Sequence, residues 1–365
     1  MFPGMQGSRK VGILTGGGDC PGLNAVIRAV VKTAVHEYGM GVTGFLDGFY
    51  GLVWNRTVKL DFDAVSNILN QGGTILGMSK RDELFSVKGR NMRRVHGRDL
   101  TAQARKVVWR LGLSGIICVG GDGTLTVASH LNDNGIPCIG VPKTIDNDVE
   151  ATDQTFGFDS AVDVATEAVD RLRTTADSHH RVMVLEVMGR EAGWIALHAG
   201  LGGGGDVILI PEIPFSIDSV CRTVRDRVKR GRRSSIIVVA EGARTAGGKP
   251  LYAEKGRLGG MGEMVAAAVE ERTGHESRAT VLGYLQRGGA PSSFDRVLAT
   301  RYGHAAACFA AEGRFGLMTA LRLGAIEGVP LAAVAGKPRT VPLDSPLLSA
   351  ARALRTSFGE PRSDG

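Results

Sequence analysis

With 365 residues, 43% of them apolar and 22% charged, the chain is long enough for two domains with separate cores and has the makeup of a soluble globular protein. No run approaches the roughly eighteen uninterrupted apolar residues of a membrane span, and Met1–Lys10 lacks the apolar stretch of a secretory leader, so a cytoplasmic protein with no membrane partner is expected. The net charge of +7 comes from dispersed basic residues, and the densest group, Lys88–Arg98, has no interleaved aromatics to stack on bases, which argues against nucleic acid and for small anionic ligands.

In chain order, Lys10–Thr15 reads as an apolar strand running into Gly16-Gly17-Gly18-Asp19, after which Pro21 opens an apolar-periodic helix to about His36. A strand near Val42–Leu46, a helix near Asp61–Asn70 and a helix over Asp99–Leu111 lead to the buried-type strand Gly115–Val119. That strand delivers Gly120-Gly121-Asp122-Gly123-Thr124 at its carboxyl end. Another helix and the strand Ile136–Val141 deliver Pro142-Lys143-Thr144-Ile145-Asp146-Asn147-Asp148 in the same way. Ligands collect at that edge of open parallel sheets.

The alternation then restarts: helix Asp159–Thr175, strand Arg181–Val187, helix Glu191–Leu201, strand Asp206–Ile210, helix Ile217–Lys229 and strand Ser234–Ala240. Ala279–Leu285 reads as one more strand, ending in Gln286-Arg287-Gly288-Gly289, and a helix over Phe294–Ala311 returns to the first domain. The expected class is α/β, with two doubly wound, Rossmann-like parallel-sheet domains and the active site in the cleft between them. The first domain spans 8–156 with a return over about 290–340, the second spans 157–289, and 345–365 is a polar, flexible tail. The five cysteines are odd in number and scattered, so buried free thiols are expected in place of disulfides or a metal site.

Phosphoryl transfer needs backbone N–H groups that approach a polyanion closely, a carboxylate for Mg²⁺, and a second carboxylate for the acceptor hydroxyl. Gly120–Thr124 supplies the first two, with Asp122 as the metal contact. Asp146 and Asp148 supply the third, and lie on one side of the segment if it is extended. Each motif alone reads equally well as a tight turn or an Asx-rich helix cap. Glu186-Val-Met-Gly-Arg190 follows a strand, and its Arg190 offers a fork for phosphate oxygens, or a surface ion pair. Glu241, at a strand end, is an acceptor for sugar hydroxyls or a helix N-terminal charge. His179 and His180 point to opposite faces and read as structural.

Taken together, Gly16-Gly-Gly-Asp-Cys-Pro-Gly-Leu-Asn24, Gly72-Gly-Thr-Ile-Leu-Gly77, Gly120–Thr124, Pro142–Asp148, Glu186–Arg190 and Gln286–Gly289 resemble the 6-phosphofructokinase family from about Lys10 to about Leu323. The resemblance implies transfer of a γ-phosphoryl group to the 1-hydroxyl of fructose 6-phosphate in glycolysis. It implies Asp146 as base, with Thr144 and Arg190 beside it. Gly18, Gly121, Gly123 and Thr124 would cradle the donor, Asp122 would hold Mg²⁺, and Lys80 with Arg81 would complete the donor contacts. The sugar phosphate would meet Ile145, Met188, Gly189, Arg190, Glu241, Tyr284 and Arg287. Arg181 and Arg278 match arginines that reach a neighbouring subunit's site, so a homo-oligomer, tetramer or dimer, is implied. Tyr284 stands where many bacterial members carry histidine, Lys80 where an arginine is usual, and the 83–99 segment is longer than in the short bacterial enzymes. The basic residues of the effector site match only in part.

Two positions bear on the donor in opposite directions. Gly123 leaves open the space of an ATP α-phosphate, where pyrophosphate-using relatives have aspartate. Lys143 is the residue found in pyrophosphate users, in which its ammonium neutralises a leaving phosphate. Because a carboxylate against an α-phosphate excludes ATP, whereas a lysine helps either donor, ATP is expected. Pyrophosphate, or a catalytically silent sugar-phosphate-binding subunit, is the alternative.

Overall fold

The computed structural model describes residues 9–78, 87–88, 91–92, 100–254 and 257–361. The chain divides into two compact units, one of 1–144, 148–157 and 287–338 and one of 145–147, 158–286 and 339–365.

The first unit begins with β1 (Lys10–Thr15), α1 (Leu23–Tyr38), β2 (Gly41–Phe45), α2 (Phe49–Trp54) and β3 (Thr57–Leu60). Two-residue strands β4 (Val87–Lys88) and β5 (Asn91–Met92) pair with each other, and α3 (Leu100–Leu111), β6 (Leu113–Gly120), α4 (Asp122–Asp133) and β7 (Cys138–Pro142) follow. The helix expected at Asp61–Asn70 is instead a series of turns. The Asp61 carboxylate accepts the Ala64 N–H at 3.1 Å, and Asn67 takes a left-handed φ of 56°, which a helix does not continue through.

In the second unit, α5 (Phe158–His179), β8 (Val182–Val187), α6 (Trp194–Gly202), β9 (Val207–Leu209), α7 (Ile217–Lys229) and β10 (Ser235–Ala240) alternate as expected. A small hairpin, β11 (Tyr252–Glu254) with β12 (Arg257–Leu258), then leads to α8 (Met261–Thr273) and β13 (Ser277–Val281). Strand β13 stops at Val281, and Gly283–Gln286 forms a 3₁₀ turn where strand was expected. The chain returns to the first unit as α9 (Ser293–Ala311), β14 (Leu317–Arg322), β15 (Ala325–Pro330) and α10 (Leu331–Val334), and ends in the second with α11 (Pro346–Ala353).

The first sheet has the order β15-β14-β7-β6-β1-β2-β3, parallel through its five inner strands, with antiparallel β15 and β3 at the edges. Its middle strands are buried nearly end to end because helices cover both faces, which is why they read as continuous apolar runs. From β1 the chain moves outward to β2, and from β6 it moves outward the other way to β7. The switch point therefore falls between β1 and β6, the position where such sheets bind ligands. The second sheet, β13-β8-β10-β9, is wholly parallel.

The expected flexible tail is docked along the second unit over its described residues, 345–361. Ser345 caps α11 by accepting the Leu347 N–H, and Leu348 and Ala351 are buried. Ser357 then pairs with β9, accepting the Ile208 N–H at 2.9 Å and donating its own to Asp206 at 3.1 Å, and Phe358 is fully buried. Upstream, Glu212 Oε1 accepts the N–H groups of Gly193 at 3.0 Å and Val341 at 2.8 Å, while the Arg339 guanidinium lies 4.5 Å from the Trp194 ring centre. Polar composition suggested mobility; three buried apolar side chains and an edge-strand pairing outweigh it.

Candidate functional site

In the first unit, the two glycine loops leave neighbouring strands at the switch point and touch each other. The Gly16 N–H donates to Val119 O at 2.9 Å, and a Cβ built on Gly16 or on Gly120 would lie 2.6 or 2.3 Å from the Thr124 side chain. Only glycine admits that approach. Arg287 also belongs here: its guanidinium donates to Asp19 O at 3.0 Å and packs against Gly18. The resemblance implied a sugar-phosphate contact for Arg287; its guanidinium is held at the Gly18–Asp19 loop.

Helix α4 starts at Asp122, so the backbone N–H groups of Asp122, Gly123 and Thr124 form its first turn and the positive end of its dipole. The Asp122 Oδ1 accepts the Gly336 N–H at 2.9 Å, leaving Oδ2 for a ligand. Gly123 differs from its neighbours in having no atom within 4 Å of a built Cβ. Nothing in the packing requires glycine at this helical position.

The third loop of the unit, Gly72–Gly77, is tied in by two side chains. Asn24 donates to the carbonyls of Gln71 and Gly72 and accepts the Ile75 N–H at 2.8 Å, while Thr15 donates to Gly77 O at 3.1 Å. Asn24, which in the sequence is one member of a motif, fixes this loop. Lys80 and Arg81, which would follow the loop, lie outside the described residues, as does most of 83–99.

After β7 the Lys143 N–H donates to Gly120 O at 3.0 Å, and Thr144 O accepts from Thr155 Oγ1 at 2.8 Å. The segment is not extended beyond this point. Ile145 and Asp146 form a bend and Asn147 has φ of 52°, so the alternation argument that put Asp146 and Asp148 on one side does not apply. Asp146 is buried and groups with the second unit, together with Ile145, while Thr144 and Asp148 group with the first.

In the second unit, Met188-Gly189-Arg190 is a turn at the carboxyl end of β8, beside Glu241 at the end of β10. Gly189 has φ of 144°, and Arg190 has φ of 53°, unfavourable for an arginine. Three groups hold the turn. The Met188 N–H donates to Gln286 Oε1 at 2.8 Å, the Arg190 N–H donates to Glu241 Oε1 at 3.0 Å, and Gly242 gives room to the Arg190 carbonyl, which a Cβ there would meet at 1.9 Å. Burial pushes the Glu241 carboxyl above the usual range, the Arg190 N–H pulls it back, and the nearby Asp146 carboxylate adds to the rise. Asp146, Arg190 and Glu241 therefore form one cluster. Glu186, earlier in the strand, accepts the N–H groups of Gly260 and Gly262 and so caps α8.

Arg181 and Arg278 stand at the opposite, amino ends of β8 and β13, and both pair with Glu276, at 2.8 and 2.6 Å. Hydrogen bonding to Arg181 holds the Glu276 carboxyl below its usual range. A strand of this length separates them from the Met188–Arg190 turn by about 20 Å, so the chain does not bring them to its own turn. Tyr284 is 62% exposed in the 3₁₀ segment. The five cysteines are free thiols, four of them buried, and no metal-ligating cluster of three or more residues occurs among the described residues. No helix among the described residues is long and apolar enough to cross a membrane.

Against known proteins, the family model described as Phosphofructokinase matches residues 10–310. The ATP-dependent 6-phosphofructokinase of Chloroflexus aurantiacus is 52% identical over 353 residues, covering 96% of this chain and 98% of its own. The pyrophosphate–fructose 6-phosphate 1-phosphotransferase of Streptomyces coelicolor is 53% identical over 341 residues, covering 91% and 96%. Among solved structures, the pyrophosphate-dependent phosphofructokinase of Marinobacter aquaeolei matches with a TM-score of 0.79 at 25% identity, covering 98% of this chain and 94% of that one. The order of glycine loops, carboxylate segment and Met-Gly-Arg turn thus sits in a shared two-domain fold, and the chain belongs to the phosphofructokinase family of phosphotransferases acting on a hydroxyl group.

Proposed function

We propose that the chain is a glycolytic kinase that transfers the γ-phosphoryl group of ATP to the 1-hydroxyl of fructose 6-phosphate, giving fructose 1,6-bisphosphate and ADP. The observation that carries ATP as donor is the empty space at Gly123. Glycine in a helix costs about 1 kcal/mol relative to alanine, and no packing contact explains it here. Room for the α-phosphate does.

In this reading Asp146 accepts the proton of the 1-hydroxyl as its oxygen bonds to the γ-phosphorus, and the bond to the β–γ bridging oxygen breaks, its electron pair leaving with ADP. The backbone N–H groups at the start of α4, with Gly18 and Thr124, hold the donor phosphates. Arg190, its main chain fixed by Glu241 and Gly242, directs its guanidinium charge to the phosphate oxygens of the sugar or the transferring group. Met188 and Gly189 line the sugar side, with Ile145 and Thr144 at the reacting hydroxyl.

A single free carboxylate oxygen on Asp122, with phosphate oxygens and water, is the kind of ligand set Mg²⁺ takes, so the residues present fit that ion. Bound there, it would neutralise charge on the transferring and leaving phosphates.

Arg181 and Arg278, remote from their own chain's turn, serve a neighbouring copy in this reading, which makes the working form a homo-oligomer, tetramer or dimer, in the cytoplasm. Pyrophosphate is the second reading, favoured by Lys143 and by the Streptomyces relative named for that donor. A coupled assay with fructose 6-phosphate and either donor separates the two: turnover with ATP is expected, and turnover with pyrophosphate but not ATP would overturn the assignment.

A further inference from the structure

Lys143 is one of the largest side chains buried in the chain, only 2% exposed. Its ammonium donates to Gly16 O at 2.9 Å and also to Gly18 O. Gly17, between those carbonyls, has φ of 77°, and a Cβ there would lie 3.7 Å from the lysine nitrogen. The loop after β1 therefore curls around the ammonium. At the same time the Lys143 main chain donates to Gly120 O, at the start of the other glycine loop.

We infer that Lys143 is a positioning residue that fastens the Gly16–Gly18 loop to the Gly120–Thr124 loop, and so serves any phosphoryl donor instead of selecting pyrophosphate. An ammonium has three N–H donors, and two are committed to main-chain carbonyls. At most one is left for a phosphate. Charge-assisted bonds to carbonyls are about twice as strong as neutral ones, and loss of the ammonium leaves the carbonyls of buried Gly16 and exposed Gly18 to find other partners. Proximity of a loop backbone to a polyanion depends on that curl, because the loop approaches phosphate through main-chain N–H groups whose directions the carbonyl bonds fix. The inference rests on the reading that these two loops hold the donor.

The test uses Lys143→Met, which keeps the stem and removes the donors, and Lys143→Gln, which restores two uncharged N–H donors and keeps the test open should the methionine variant fail to fold. Two quantities are read on the full-length protein: amide hydrogen exchange of Gly16–Asp19, and KM and kcat with ATP, with pyrophosphate and with fructose 6-phosphate. The expected result for methionine is faster exchange in Gly16–Asp19 and a KM for ATP raised by about tenfold or more, with KM for fructose 6-phosphate unchanged. Glutamine falls between methionine and wild type in both. Unchanged exchange in the folded variants overturns the inference, whatever the kinetics show, and so does loss confined to pyrophosphate turnover. Faster exchange with an unchanged KM for both donors supports the fastening and removes the donor reading of the loops.

Discussion

The glycine loops of the first unit and the Met188–Arg190 turn of the second are both main-chain turns at strand ends, but different groups hold them. The first are held by crowding and by carbonyls: Gly16 and Gly120 close on Thr124, and Lys143 binds the carbonyls of Gly16 and Gly18. The second is held by side-chain acceptors, Gln286 and Glu241, which take the N–H groups of Met188 and Arg190. The difference follows from what each must present. A phosphate cradle approaches its ligand through main-chain N–H groups, so bonds to its carbonyls can fix it without competing with the ligand. A turn that presents an arginine side chain can commit its N–H groups, because the guanidinium does the binding.

The largest expected effect comes from Asp146, in the side-chain-built cluster. Asp146→Asn keeps the shape and removes the base, and kcat should fall by about three orders of magnitude or more with donor KM little changed. An unchanged rate in steady-state assays would remove Asp146 from its role. Next is Gly242→Ala, whose Cβ would meet the Arg190 carbonyl at 1.9 Å. It should raise KM for fructose 6-phosphate by tenfold or more, leave KM for ATP near wild type, and cost about 3 kcal/mol of stability by denaturant unfolding. Equal damage to both substrates would dissolve the distinction between the two regions.

The smallest effect is a pH dependence at Glu212. Burial pushes this carboxyl above the usual range, against the opposing pull of the Gly193 and Val341 N–H groups. A native value above the unfolded 4.5 means that the folded state binds more protons in that window, so this group's contribution to stability falls as pH rises through the native value. The melting-temperature loss in Glu212→Ala should therefore be largest near pH 4.5 and smaller at about pH 8. A loss that grows with pH would reverse the assigned sign.

What could be read in the sequence was local. The glycine loops follow apolar strands directly, so their place at the carboxyl edge was visible from Lys10–Thr15 and Gly115–Val119. Asp146 was visible as a carboxylate in a polar segment, but its geometry was not, because a left-handed Asn147 replaced the extended chain. The bonds that organise the site were hidden for a different reason. Lys143 acts on carbonyls 127 and 125 residues away, and Gln286 on an N–H 98 residues away, so no spacing rule connects them. The docked C-terminal segment was hidden likewise, since Phe358 is buried and Ser357 pairs with β9, about 150 residues away. Arg287 is a further case: the resemblance implied a sugar-phosphate contact, and its hydrogen bond to Asp19, 268 residues away, follows from no spacing rule.

The donor assignment stands on Gly123, and Gly123→Asp tests it without confusing binding with folding. The site is open, and an aspartate in the first turn of α4 is favourable with the helix dipole by about 0.3–1 kcal/mol. A melting temperature equal to or above wild type is expected, together with a loss of about a hundredfold or more in kcat/KM for ATP. An equally stable variant that still uses ATP as well as wild type would contradict it.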